Sequence, residues 1–289
     1  MTLLRLEELF PGDLTAQLQV CPLLVLPLGT IEWHSHHLPL GLDGLVAQRI
    51  GEAVAAETGA VLAPVSYWAV GGVPYPYTLN LTPDAIEPLM VALFEQFSAM
   101  GFRVIVAFTG HFGLDQTLTL KRAALTVMQR SPVIILPLTE YDLVTDLYQG
   151  DHAGIGETSL LWAMRPDLVR IEAVPPDKPL DGVIGADPRG MASAARGAML
   201  LDAIIERTAA VARRMLENVS AQARTEYLAA LRAGVRVLEK TAQQREVLPK
   251  QAVPPIATPA YLAGCQAIYR GDYRTARDHW ERKFAALAE

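Results

Sequence analysis

The segment Glu32-Trp33-His34-Ser35-His36-His37-Leu38-Pro39-Leu40-Gly41-Leu42-Asp43 holds a carboxylate, an imidazole two residues on, and a second carboxylate nine residues after that. Side chains two apart in an extended segment point the same way, so Glu32 and His34 can face one point. A turn at Pro39 lets Asp43 return to it. Imidazole with carboxylates is the ligand mix of zinc, manganese or iron. Two more stretches carry the same residue types: His111, flanked by Gly110 and Phe112-Gly113, and Asp151-His152-Ala153-Gly154-Ile155-Gly156-Glu157-Thr158-Ser159. Each has a plainer reading. His111 could be a core or capping histidine, His152 a helix-entry residue, and Glu157 an acid favoured by a helix N-terminus. Taken together, Glu32, His34, Asp43, His111 and Glu157 are two imidazoles and three carboxylates, too many hard ligands for one structural zinc. The set suits two divalent ions bridged by a carboxylate and a water. Two such ions ~3.5 Å apart can hold a hydroxide at neutral pH and polarise a carbonyl. No G-x-S-x-G elbow, catalytic cysteine context, G-x-G-x-x-G or Walker loop offers a competing mechanism.

The elements that must position these residues can be read from pattern. Residues 3–18 read as a short amphipathic helix, and the apolar run 22–28 as a buried strand. A helix is expected over 43–58, a strand over 61–65, and a Gly/Pro/Tyr loop over 71–78. Thr82 and Pro83 open a helix that Gly101 ends near Met100. Residues 103–108 form an unalternating strand, as burial on both faces requires, followed by a helix over 114–130 and a strand over 133–137. Strands alternating with long helices imply an α/β layer fold with a mostly parallel sheet. Ligands bind such sheets at the carboxyl ends of the strands, where Glu32-His34 and Gly110-His111 both fall. Beyond residue 190 the chain turns helical: 192–216, 220–240, a Pro-rich linker over 249–259, and two helical patterns broken at Gly271-Asp272. That last pair resembles a single tetratricopeptide-type hairpin and reads as a packing or oligomer appendage.

Composition narrows the class. The chain has 289 residues, 51% of them apolar, enough for one large domain or for one domain with an appendage. A net charge of −6 argues against a nucleic-acid partner. Cys21 and Cys265 form no zinc spacing or disulfide framework, which fits a reducing compartment. The acids Glu7 and Glu8 interrupt any signal-peptide stretch, and no window approaches the roughly eighteen apolar residues of a membrane span. A cytoplasmic location is expected.

Glu32-x-His34-x-x-His37-Leu38-Pro39-Leu40-Gly41-x-Asp43, Gly110-His111-x-Gly113 and His152-Ala153-Gly154-x-x-Glu157-Thr158-Ser159 resemble the three signatures of the creatininase (creatinine amidohydrolase) family. Asp187 to Gly197 is similar to that family's later Ala-Ser-x-x-x-Gly segment, and the resemblance covers roughly residues 1–215. It implies a three-layer α/β/α sandwich, a centre of two divalent ions (zinc, manganese or iron), hydrolysis of a cyclic amide or related C–N bond, and a homo-oligomer, often a hexamer. Residues 1–218 would be the metal hydrolase domain and 219–289 a helical extension. Carried over by position, Glu32, Asp43 and His111 would hold one ion, and His34 with bridging Asp43 the second. Where creatininase has a glutamate completing the second site, this chain has Gly113, and Glu157 is the substitute ligand, also counted among the catalytic residues. His152 corresponds to the family's proton-shuttling histidine. Trp33, His36, Thr109, Phe112 and Leu114 depart from the common pattern, so the resemblance does not carry creatinine over as substrate. Trp33, Tyr67, Trp68, Tyr75, Tyr77 and Phe112 suggest aromatic walls for a small ring. Two rival readings remain: a hydrolase opening a C–C bond of a cyclic polyol-derived diketone, and a catalytically silent scaffold. A scaffold has no use for five clustered ligand-type residues.

Overall fold

The computed structural model describes residues 3–217, 220–247 and 258–287. Its frame is a five-stranded parallel sheet in the order β1-β3-β2-β4-β5. The strands are β1 (Leu4–Arg5), β2 (Leu23–Leu28), β3 (Val61–Leu62), β4 (Val104–Thr109) and β5 (Ile134–Thr139). Every residue of β2, β4 and β5 is buried, as expected of parallel strands covered on both faces. β2 pairs with β4 from Leu23–Val104 through Leu28–Thr109, and β4 with β5 from Val104–Ile134 through Thr109–Thr139. Three neighbouring strands therefore end on one level. The chain leaves β2 towards β3 on one side, while β4 occupies the other, so the crevice above β2 and β4 is the topological switch point.

Helices α2 (Leu42–Thr58), α5 (Ile155–Met164) and α6 (Ala194–Glu217) pack together on one face. On the other, α3 (Pro83–Met100) packs on α4 (Leu114–Met128), and α4 on α7 (Ala221–Val247). This is the three-layer α/β/α arrangement. α8 (Pro259–Arg270) and α9 (Tyr273–Ala286) form a hairpin turned at Gly271 (φ 79°), with the Asp272 side chain accepting from the Thr275 amide at 3.0 Å. α9 packs on α7, and Trp280 sits over Gly264, where a Cβ would come within 2.3 Å of the indole. α7 is tied to the sheet by the Tyr227 hydroxyl, which donates to the Ile135 carbonyl at 2.9 Å.

The N-terminal expectation is corrected. Residues 3–18 are not one helix: Leu4–Arg5 add a short parallel strand beside β3, a 3-10 turn follows, and α1 (Pro11–Val20) starts only at Pro11. Proline favours the first helical position, and α1 fully buries none of its residues, holding to the core only through the partly buried Leu14 and Leu18. β3 also stops at Leu62; the ladder resumes only as an isolated Leu28–Ser66 bridge. Thr82 stands at the N-cap of α3 with extended backbone but makes no side-chain capping bond. Of the expected linker, residues 249–257 lie outside the described residues, and Pro259 is the first residue of α8.

Two glycines fix where α2 begins. A Cβ on Gly29, just past β2, would lie 2.2 Å from the Gly44 nitrogen; one on Gly110, just past β4, would lie 2.3 Å from the Asp43 carbonyl oxygen. The first turn of α2 thus rests directly on the backbone of two strand ends.

Candidate metal centre

Glu32 follows β2, Asp43 lies in the first turn of α2, His111 follows β4, and Glu157 lies in the first turn of α5. These elements meet above the switch point. Glu32, His34, Asp43, His111, His152 and Glu157 are all buried. Their donor atoms fall into three overlapping triads: Glu32/Asp43/His111, His34/Asp43/Glu157 and Glu32/His34/His152, each with its atoms within 4.8 Å of one another.

The imidazoles are oriented from behind. His34 Nδ1 donates to the Glu32 carbonyl at 3.0 Å, His111 Nε2 to the Val70 carbonyl at 3.1 Å, and His152 Nε2 to the Trp33 carbonyl at 2.9 Å. A carbonyl only accepts, so each contact fixes the proton on that nitrogen and turns the other inward, the arrangement found behind metal-ligating histidines. Inside, His34 Nε2 stands 3.0 Å from Asp43 Oδ1 and 3.6 Å from Glu157 Oε2. His111 Nδ1 stands 2.8 Å from Glu32 Oε2 and 3.4 Å from Asp43 Oδ2. Asp43 thus offers one oxygen to each side. Despite these approaches, Glu32 Oε2, His34 Nε2 and both Asp43 oxygens make no hydrogen bond. Buried polar atoms without partners are costly, and four of them converging fit a divalent-cation site.

Without a cation, charges in this pocket distort one another. Burial raises the Asp43 carboxyl, but the His34 and His111 contacts outweigh it and hold the group well below the carboxylate range. Burial lowers His111, yet Asp43 and Glu32 push it up to about 10. Glu157 is driven well above the usual range, by burial first and then by Asp43 and Asp151. Protons then occupy positions that a cation would take, so ion uptake must release them.

Glu157 is held by the Ala153 amide, which donates to its Oε2 at 2.6 Å. Gly113, at the place of the missing glutamate, is the N-cap residue of α4. His37 is not part of the cluster; its Nε2 lies 2.9 Å from Thr158 Oγ1 and ties the first signature to the third. His36 is exposed, 3.4 Å from Asp181. The aromatic expectation needs correcting. Phe112 lines the cleft over the centre, joined by Tyr141. Trp33 instead stacks on Tyr75 at 3.9 Å, Tyr67 packs against Gly44, and Trp68 and Tyr77 face solvent.

Two residues have a part that the sequence reading did not assign: Asp151, quoted there without a role, and Glu140, not singled out. Asp151 organises α5: its oxygens accept from the Gly156 amide at 2.6 Å, the Glu157 amide at 3.1 Å and the Tyr148 hydroxyl at 3.0 Å. Glu140 directly follows β5, is fully buried, and neither of its oxygens has a hydrogen-bond partner. Burial, reinforced by Asp43 and Asp151, raises it well above the carboxylate range. Its place at a strand end on the ligand-bearing rim was the available signal.

A profile of the creatininase family, described as creatinine amidohydrolase, matches residues 7–212. The creatinine amidohydrolase of Pseudomonas putida is 27% identical over 177 residues, covering 52% of this chain and 67% of that protein. The 3-dehydro-scyllo-inosose hydrolase of Thermotoga maritima is 27% identical over 173 residues, covering 54% of each. The chain therefore spans between about half and two thirds of the length of these curated relatives. A solved creatininase described with manganese shares the fold, with a TM-score of 0.63 at 21% identity over 75% of this chain and all of that one. The match over most of the chain settles descent: it belongs to the creatininase family of hydrolases.

Proposed function

We propose that this protein uses two divalent cations, zinc, manganese or iron, to hydrolyse a C–N bond in a small cyclic amide or related compound. The observation that carries this reading is the pair of ligand triads sharing Asp43, with four buried atoms left unsatisfied. Glu32, Asp43 and His111 would hold one ion; His34, Asp43 and Glu157 would hold the other. When bound, such a pair supplies a Lewis acid for the carbonyl and makes water an effective nucleophile at neutral pH.

The other tasks fall to the chain's own groups. His152 Nδ1 faces Glu32 Oε1 at 3.6 Å. In the cation-free chain burial, then the field of His34, pushes His152 down to about 4; the Trp33 carbonyl holds the ring proton on Nε2, which leaves the Nδ1 lone pair facing inward. That nitrogen accepts a proton as water attacks and returns it to the leaving nitrogen. Glu157, besides its ligand role, clamps the Ala153 amide and so holds the turn that carries His152. The cleft of about 480 Å3, lined by Glu32, His111, His152 and Glu157, is of small-molecule size.

The reading includes residues 1–218 as the hydrolase domain, 219–289 as a helical extension, and a cytoplasmic homo-oligomer. No helix among the described residues is long and apolar enough to cross a membrane. The inosose-hydrolase relative favours a second reading, in which the same residues open a C–C bond of a cyclic polyol-derived diketone. Elemental analysis of purified protein, followed by a panel of lactams, formamides and a nitrogen-free cyclic diketone, tests both. About two ions per chain and turnover of a C–N substrate is the expected result. Glu157→Gln should lower the ion content to about one. Protein that takes up no zinc or manganese overturns the proposal; turnover of the diketone alone selects the second reading.

A further inference from the structure

The cleft over the centre has a floor, a wall and a mouth, and only the mouth holds a permanent positive charge. The floor is the carboxylate and imidazole cluster. Val73, Pro74, Phe112, Leu114 and Ile184 give the wall an apolar face. Arg245, near the end of α7, is the one lysine or arginine among the lining residues. It lies outside residues 7–212, the stretch matched by the family profile.

We infer that Arg245 determines specificity: it binds an anionic group, a carboxylate above all, on the part of the substrate remote from the bond that breaks. Three observations carry this. First, Arg245 is held in place. Its Nη2 donates to Asp115 Oδ1 at 2.6 Å, and α7 is packed against α4, which carries Asp115. Second, it keeps donors to spare. A guanidinium offers five N–H groups and cannot lose its charge, and among the described residues Asp115 is its one hydrogen-bond partner. Its side chain is 45% exposed, so those donors are open to a ligand. Third, the other acids of the cleft are occupied. Asp151 caps α5, while Glu32 and Glu157 belong to the floor. A chain of net charge −6 repels small anions at long range, and Arg245 is the one side-chain cation lining this cleft that opposes it. Guanidinium matches carboxylate by paired N–H donors, which makes Arg245 a selector of acidic over neutral cyclic amides.

This inference rests on the cleft being the active site of the proposed hydrolase, so its test is binding, independent of turnover. The probes are 5-oxoproline, a lactam with a carboxylate, and 2-pyrrolidinone, the same ring without it. Each is titrated calorimetrically into the full-length zinc-loaded protein. The wild type should bind 5-oxoproline at least about tenfold more tightly than 2-pyrrolidinone, as a charge-assisted bond gives. Arg245→Met should abolish that ratio, Arg245→Lys should restore part of it, and Asp115→Asn should raise it by freeing Nη2. Zinc content and thermal midpoint, measured on every variant, verify that each is folded and loaded. A wild type without preference, or a preference that survives Arg245→Met, overturns the inference. If Arg245→Met fails to fold, an unchanged or lowered ratio in Asp115→Asn overturns it instead. A preserved ratio with no hydrolysis of any panel member would count against the hydrolase reading alone.

Discussion

Two buried charged clusters among the described residues are finished to different degrees. Lys121 and Asp142 meet at 2.7 Å. Asp142 Oδ2 also accepts from the Thr139 amide at 3.1 Å, and its Oδ1 accepts from Cys265 Sγ at 3.4 Å. Charge is cancelled and both oxygens have partners. The cluster around Asp43 is as deeply buried, yet it gathers three carboxylates with three imidazoles and leaves four atoms unpartnered. A buried pair that closes on itself is a structural joint, here fastening α8 to the segment after β5. A buried cluster left open is shaped for something that arrives from solvent.

The sharpest way to break this contrast is to remove one acid from each side. Asp43→Asn removes the shared negative charge and replaces one of the two oxygens by an amide nitrogen, so one triad loses its ligand atom and the other its charged one. Turnover should fall by on the order of a thousandfold and bound metal should drop, read by steady-state kinetics and elemental analysis. Lys121→Met combined with Asp142→Leu should leave metal content unchanged. If the double variant loses metal, the two clusters are not separable.

Stability should distinguish them next. Asp142→Leu alone strands a buried ammonium and should cost about 3–5 kcal/mol, while adding Lys121→Met should recover most of that loss. Urea unfolding of the single and double variants measures both. A smaller but oppositely directed effect is expected at Glu140. Its carboxyl is raised in the folded chain, so its contribution is full below the unfolded value near 4.5 and is lost as pH rises through the folded one. Cation-stripped protein should therefore weaken as pH climbs above the unfolded value, and Glu140→Gln should flatten that slope, read by urea unfolding across a pH series. An unchanged slope would show that Glu140 is not what weakens the cation-stripped fold. The least effect belongs to the turn after His152. Ala153 has φ 51°, a left-handed conformation that costs a non-glycine residue about 1 kcal/mol. Ala153→Gly should raise the thermal midpoint by roughly 2–4 °C, read by calorimetry.

The open cluster was legible in the sequence where ligands come in spaced groups. Glu32, His34 and Asp43 stand within one loop and helix start, and His152 and Glu157 straddle one helix entry. Glu140 was not, because a single acid after a strand has no spacing to announce it. Burial by packing also resists sequence reading: Trp33 reads equally well as a cleft wall and as the stacking partner of Tyr75 that it is. The parallel core strands were plain from their unbroken apolar runs. β1 was invisible because two residues carry no period, and Pro11, which displaced the helix start, was the one clue. Arg245 had no signal at all. Its significance comes from α7 docking on α4, a long-range contact that local pattern does not encode.

The glycines beneath α2 have a consequence for anyone who would rebuild this centre elsewhere. Gly29 and Gly110 seat the helix against two strand ends by main-chain contact, with no side chain between them to shift rotamer. The mounting of Asp43 is therefore a property of the backbone, with almost no play. A designer who grafts the ligands onto another parallel sheet without that glycine pair would copy the chemistry and lose the tolerance. The portable unit is the two strand ends and the helix start, with the acids as its fittings.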